Sequence, residues 1–162
     1  MNRVEVLRNY IDKTIQKMKY REDQRCAYVH LYGVSHFCAL IALKRNQDAE
    51  LATIAGMLHD FYTYKMMDAE NHAQEGALLA KEILDLLKIT NEEETKLICE
   101  AILHHSNKKG KHTDFTEVLV DADTLQFYLY NVAYPPHSKS RTKRVKKLMK
   151  EFGIDWEQEK NN

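Results

Sequence analysis

Histidine and aspartate residues recur along this chain at intervals that suit a metal site built from several helices. In order they are His30, the pair His59 and Asp60, His72, the pair His104 and His105, and Asp123. Imidazole and carboxylate ligands without a thiolate suit Mn, Fe, Co, Ni, Zn or Mg better than a closed structural zinc site. A divalent ion held by them would activate a water molecule as a nucleophile near neutral pH.

The apolar neighbours of these residues indicate that the polar groups are buried. His30 recurs at spacings of three and four with Val34, Cys38 and Ile41, so it lies on the buried face of a helix. The apolar segment 54–58 leads directly into His59. A buried polar group without a partner costs roughly 2–7 kcal/mol, and a charged group costs far more. A shared metal ion would satisfy all of these groups together.

Four segments in this order resemble the HD-domain superfamily of metal-dependent phosphohydrolases. They are His30 with Val34, AGMLHD ending at Asp60, AILHH ending at His105, and DAD ending at Asp123. A fifth segment, NHAQEGALLAKEIL, carries His72 and is similar to the HD members that hold two metals. The resemblance covers roughly residues 25–130. It implies hydrolysis of phosphate esters or anhydrides, commonly of nucleotides.

The resemblance also implies which residues bind metal. A first divalent ion would be held by His30, His59, Asp60 and Asp123, and a second by His72 and His105 with Asp60 as a bridge. His104 is a weaker candidate, because adjacent helical residues point about 100° apart and seldom serve one ion. Helical periodicity does not choose between Asp121 and Asp123; the resemblance selects Asp123. Asp121 could instead orient a ligand histidine through its ring N–H.

Catalytic and phosphate-binding candidates lie at or just after these positions. The catalytic candidates are His59, Asp60 and Lys65, and the phosphate-binding candidates are Lys65, Lys108, Lys109, Lys111 and Arg141. Some single-metal nucleotidases of the superfamily carry a glutamate three residues after the motif aspartate, where this chain has Thr63. The pattern is therefore closer to the small two-metal bacterial members, some of which cleave dinucleoside polyphosphates.

The secondary-structure elements that position these side chains are predicted to be helices. Few Gly and Pro and many Ala, Leu, Lys, Glu and Met predict an all-α fold. The resemblance implies a single HD-domain bundle of about six or seven helices within residues 1–152. The predicted helices cover 2–19, 23–44, 48–60, 71–87, 90–105, 114–131 and 138–152, and the predicted loop 61–70 separates the third from the fourth. The expected N-terminal caps are Asn71 with Gln74, Thr90 with Glu93, and Asp114 with Glu117. Residues 153–162 read as a polar tail.

Three polar features outside the motif can be interpreted as purely structural or as functional. His36 falls off the His30 stripe and reads as a surface residue. Tyr62 and Tyr64 could cap the core or line the mouth of the site. The basic segment 138–152 reads as a solvated helix, or alternatively as a source of phosphate contacts through Lys139, Arg141 or Arg144.

Composition and net charge restrict the possible location and partners of the protein. The 162 residues have a formal net charge of zero, so no global attraction to nucleic acid or membrane is expected. Three cysteines without metal-type spacing read as reduced thiols of a cytoplasmic protein. No uninterrupted apolar run approaches the ~18 residues of a membrane-spanning helix, and the N-terminus does not read as a signal peptide. The expected partner is a small phosphorylated substrate, and a homodimer is left open.

Three hypotheses follow. The first is a metal-dependent phosphohydrolase acting on a nucleotide or another small phosphate ester or anhydride. The second is a non-catalytic HD module that binds or senses a nucleotide. The third is a helical RNA- or partner-binding protein that uses the basic segment, against which the zero net charge argues.

Overall fold

The computed structural model describes residues 2–133 and 138–155, which form eight helices and no strand. The helices are α1 (Arg3–Ile15), α2 (Arg21–Lys44), α3 (Ala49–Leu58), α4 (Phe61–Met66), α5 (His72–Leu87), α6 (Glu92–His104), α7 (Asp114–Leu129) and α8 (Lys139–Glu151). The prediction of an all-α helical bundle is therefore confirmed. The expected break at Tyr134-Pro135-Pro136 and the end of the polar tail lie outside the described residues. The single-domain boundary at residue 152 remains a prediction.

The bundle is built around α2, which packs most extensively against α3 and α7. Its buried side chains include Val34, Cys38 and Ile41, which the periodicity of the sequence predicted. Gly56 lets α3 approach α2 closely, since a Cβ at this position would lie 2.7 Å from the Cα atom of Ser35. Among the described residues, α2 alone is long and apolar enough to pass as a membrane span by length and composition. Its position at the centre of the bundle is typical of a core helix.

The segment predicted as a loop between the third and fourth predicted helices contains the short helix α4. Phe61 is fully buried at its start, and Met67 ends it in the left-handed conformation. The apolar side chain of Phe61 therefore anchors this turn of helix to the core, although the segment is too short to show a helical period. As predicted, His36 lies exposed on α2.

Three of the expected helix caps are wrong. Asn71 adopts a left-handed conformation, which asparagine tolerates, and its side chain makes no capping bond with the start of α5. The capping box of α6 is formed by Asn91 and Glu94, one residue later than the predicted Thr90 and Glu93. Thr113 caps α7 by accepting a hydrogen bond from the backbone N–H of Thr116.

Helix α8 is attached to the bundle by a network of ion pairs. Asp121 on α7 accepts from Arg45 at 2.6 Å and from Arg144 at 2.7 Å. Arg45 also binds Glu151, and Arg144 also binds Glu117. The predicted role of Asp121 in orienting a ligand histidine is therefore wrong, since its two oxygens are taken by arginines. Glu117 likewise binds Arg144 instead of capping α7.

Candidate metal centre

Six helix segments bring one candidate ligand each to one place in the bundle. Four of the six candidate ligands stand at the end of a helix, and the other two lie within helices. His30 lies within α2, His59 is the C-cap of α3, Asp60 precedes α4, His72 opens α5, His105 is the C-cap of α6, and Asp123 lies within α7.

The first group of ligand atoms lies between α2, α3 and α7. The Nε2 atom of His30 is 3.1 Å from both the Nε2 atom of His59 and the Oδ2 atom of Asp60. The Oδ1 atom of Asp123 lies 3.8 Å from the His30 nitrogen and 3.9 Å from the His59 nitrogen. His30, His59 and Asp60 each offer one ligand atom, and the three atoms lie within 4.8 Å of one another.

The second group uses the other oxygen of Asp60. Its Oδ1 atom lies 3.2 Å from the Nε2 atom of His105 and 3.8 Å from the Nε2 atom of His72. Asp60, His72 and His105 again offer three atoms within 4.8 Å of one another. Asp60 therefore presents one carboxylate oxygen to each group, as the resemblance implies for a bridging ligand.

The four histidines are held through their Nδ1 atoms. His59 donates to the carbonyl of Gly56 at 2.8 Å, and His105 donates to that of Ile102 at 2.6 Å. His72 donates to the carbonyl of Ala69 at 3.1 Å, and His30 donates to the side-chain oxygen of Gln126 at 2.8 Å. Since an imidazole that donates from Nδ1 keeps its lone pair on Nε2, all four rings present a metal-binding nitrogen to Asp60.

Two observations test whether a cation fits this donor set. Two Nε2 lone pairs, those of His30 and His59, face each other at 3.1 Å, which is unfavourable unless a proton or a cation lies between them. The Oδ1 atom of Asp60 is buried and has no hydrogen-bond partner. A buried unpaired carboxylate oxygen is costly. The residues therefore fit one or two divalent ions, with His30, His59, Asp60 and Asp123 near one and Asp60, His72 and His105 near the other.

The charged and polar groups of the centre keep the carboxylates of Asp60 and Asp123 ionised. Burial alone would raise the pKa of Asp60, but the neighbouring imidazoles of His59, His105 and His30 hold it well below its usual value. Burial lowers the pKa of His59. Burial would also lower the pKa of His30, but the hydrogen bond to Asp60 and the charge of Asp123 raise it overall.

Lys108 supplies a positive charge next to the first group. Its ammonium group donates to the Oδ2 atom of Asp123 and, at 2.8 Å, to the carbonyl of His105. Burial opposes ionisation of Asp123, but the charges of Lys108 and His59 lower its pKa. Lys108 was a predicted phosphate-binding residue, and the structure places it directly beside a candidate ligand.

Other predicted site residues do not join the two ligand groups. His104 is exposed, and its ring centroid lies 6.1 Å from that of His112. Lys65 is exposed on α4. The guanidinium carbon of Arg141 lies 4.1 Å from the ring centroid of Phe127. Lys109 and Lys111 lie beside a neighbouring cavity of the chain. The roles of these residues remain predictions.

Three residues near the centre were missed or undervalued by the sequence analysis. Gln126 positions His30, and Gly33 makes room for it, since a Cβ there would lie 3.0 Å from the Cγ atom of Gln126. The hydroxyl of Ser106 lies 2.8 Å from the Nε2 atom of His72 and 3.3 Å from that of His105. The ring of Tyr64 lies 6.1 Å from that of His30. A polar residue within the apolar stripe of α7 was the available signal for Gln126.

Comparison with known proteins agrees with the fold. The family model of the HD domain matches residues 27–139, and the chain therefore belongs to the HD domain family. Among solved structures it is similar to a predicted HD superfamily hydrolase from an uncultured Thermotogales bacterium. The identity is 19%, the TM-score is 0.60, and the match covers 90% of this chain and 88% of that one, which supports the shared fold. No curated protein matches this chain.

Proposed function

We propose that this protein is a metal-dependent phosphohydrolase that acts on a nucleotide or another small phosphate ester or anhydride. The observation that carries the proposal is the position of Asp60, whose two oxygens each face a histidine group that presents its Nε2 atoms. HD domains are metal-dependent, and the similar solved structure is described as a predicted hydrolase. The substrate class comes from the resemblance of the motif.

Divalent ions in this centre would activate water as a nucleophile and neutralise phosphate charge. The residues of the chain keep the ligand atoms charged and correctly oriented. Asp60 stays ionised, because its pKa is held well below its usual value. The carbonyls of Gly56 and Ile102 fix the rings of His59 and His105, so that both Nε2 atoms stay directed at Asp60.

Lys108 is the residue best placed to bind a substrate phosphate. An ammonium group has three donors, and Asp123 and the carbonyl of His105 use two of them. The third donor is available to a phosphate oxygen. Thr63 stands where some nucleotidases carry a glutamate, and it offers no carboxylate that could act as a general base. The proposed reaction therefore relies on the metal centre to produce the nucleophile.

The test combines metal content with turnover. We expect elemental analysis of protein purified without chelator to find about two transition-metal ions per chain, and the purified protein to release phosphate from a nucleotide panel. Asp60→Ala should abolish both the bound metal and the turnover while the helical content is retained.

The matched control is Asp85→Ala, which removes an exposed carboxylate that binds Lys81 on α5 and should leave both readouts unchanged. Turnover that survives in Asp60→Ala would refute the proposal. Stabilisation of the wild-type chain by nucleotides without product formation over hours would favour the non-catalytic binding module instead.

A further inference from the structure

A cavity of about 1110 Å³ opens between α8, the start of α7 and the loop that joins α6 to α7. Small-molecule sites usually have volumes of about 300–1,000 Å³, so this cavity has room for a nucleotide-sized ligand. The cavity contains none of the six candidate metal ligands. It is therefore a separate feature of the fold that the metal centre does not explain.

The lining of the cavity has an excess of positive charge. Its basic residues are Arg45, Lys108, Lys109, Lys111, Lys143, Arg144 and Lys147, and its acidic residues are Asp114, Glu117, Asp121 and Glu151. Three of these four acids are already bound by Arg45 and Arg144. The arginines are thus neutralised within the protein, and Lys108 is paired with Asp123, while the other lysines keep their charge for a ligand.

Several lysines of the cavity have no partner within the described part of the chain. Among residues 2–133 and 138–155, Lys109, Lys111 and Lys143 form no ion pair and no side-chain hydrogen bond, and all three are exposed. Lys109 and Lys111 come from the α6–α7 loop and Lys143 from α8, so they enter the cavity from two different elements. Unpaired ammonium groups converging on a concave surface suit a ligand with several negative charges.

Lys108 connects this cavity to the candidate metal centre. Its ammonium group binds Asp123 on the side of the centre. Its backbone carbonyl accepts a hydrogen bond from Arg144 at 3.1 Å on the side of the cavity. Lys108 therefore borders both the candidate metal centre and the cavity.

We propose that this cavity binds a phosphate chain, so that the ligand of this protein carries two or more consecutive phosphate groups. The inference rests on the proposed function for its statement about the substrate, but the cavity can be tested without turnover. A small ligand fits better than a nucleic acid backbone, because the lysines line a cavity of nucleotide size and the chain as a whole has no net charge.

The test is calorimetric titration of the full chain with inorganic tripolyphosphate and with orthophosphate. The buffer contains no divalent metal, so that chelation by tripolyphosphate does not interfere. We expect tripolyphosphate to bind at least about tenfold more tightly than orthophosphate, because charge-assisted hydrogen bonds add up along the chain. A Kd for tripolyphosphate weaker than about 1 mM would overturn the proposal.

A pair of double variants separates the cavity from general charge. Lys111→Gln with Lys143→Gln should weaken tripolyphosphate binding at least about tenfold, because each lysine can donate to a phosphate oxygen. Lys96→Gln with Lys150→Gln removes the same charge from exposed positions outside the cavity and should change binding less than about twofold. Equal weakening in both double variants would overturn the proposal.

Two further measurements distinguish this inference from the proposed function. Asp60→Ala should keep wild-type tripolyphosphate binding, since Asp60 does not line the cavity. Binding without phosphate release from any nucleotide would contradict the phosphohydrolase and leave the cavity supported. A single-stranded oligonucleotide that binds more tightly than tripolyphosphate, and loses this affinity in the Lys111 and Lys143 variant, would overturn the small phosphate chain as the ligand.

Discussion

Each histidine of the candidate centre is held by its Nδ1 atom, and this decides which nitrogen a metal can use. His59 and His105 stand at the C-termini of α3 and α6, where the last carbonyls have no partner within the helix. These carbonyls accept the ring N–H from three residues further along the chain. A histidine placed at a helix C-terminus is thereby oriented without a dedicated side-chain partner.

His30 lies in the middle of a helix and has no free carbonyl, so it depends on Gln126. Gln126→Leu should leave the buried Nδ1–H without an acceptor and allow the ring to rotate. We expect metal affinity to fall about 10–100-fold, the range found for partners that orient a metal-binding histidine. Competitive titration with a metal indicator measures this effect. Gln126→Glu keeps an acceptor and should retain most of the affinity; an equal loss in both variants would contradict the role of the hydrogen bond.

Metal binding should also depend on pH in a defined direction. The pKa of His30 is raised in the metal-free protein, so its Nε2 atom is still protonated at pH values above the usual histidine pKa of about 6.5. A metal must displace this proton, and we expect the apparent affinity to fall as pH decreases through the raised pKa of His30. Asp60 stays ionised in this range and does not contribute. Titrations between about pH 5.5 and 8.5 test this, and a constant affinity across this interval would contradict it.

At the scale of elements, the contact between α2 and α3 depends on the absence of a side chain at Gly56. An added Cβ would meet the Cα atom of Ser35 at 2.7 Å and the Sγ atom of Cys38 at 3.0 Å. Gly56→Ala should therefore lower the free energy of unfolding by about 1–3 kcal/mol through overpacking. Chemical denaturation measures the change. In an uncrowded helix the same substitution stabilises by up to about 1 kcal/mol, so a stabilised variant would show that the contact is not tight.

The attachment of α8 depends on Asp121. Asp121→Asn should leave Arg45 and Arg144 without a common anion and lower the free energy of unfolding by about 2–3 kcal/mol. Loss of one partner from a fully buried pair costs about 3–5 kcal/mol, and both arginines here keep some contact with solvent. Asp85→Asn on α5 breaks an exposed pair with Lys81 and should cost no more than about 0.5 kcal/mol. Equal effects of the two variants, measured by denaturation, would contradict the role of the network.

The same elements show what the sequence could predict and what it could not. The long helices and the buried face of α2 follow from apolar periodicity, and the ligand set follows from the order of the motif. Helix α4 is too short to show a period, and the caps of α5, α6 and α7 were misplaced because several polar residues near each start can cap. The partners of Asp121 and Gln126 come from other helices, so periodicity within α7 could not reveal them.

At the scale of the whole molecule, a bound metal should stabilise the entire fold, because its ligands come from six helix segments. An ion present at about 100 times its Kd adds about 2.7 kcal/mol to the free energy of unfolding. We expect Mn²⁺ to raise the Tm of the chelator-treated protein by about 5–10 °C in scanning calorimetry, given the size of the chain. Asp60→Ala should abolish this increase, and a similar increase in that variant would place the stabilising ion elsewhere.

The six candidate ligands are spread along the chain from residue 30 to residue 123. During synthesis on the ribosome, the first of them emerges early and the last only after α7 has been made. A nascent chain can therefore assemble the complete centre only once most of its length has been translated. A single proteolytic cut between α2 and α7 would likewise remove the covalent link between His30 and Asp123, so that only the packing of the helices would hold the two ligands together.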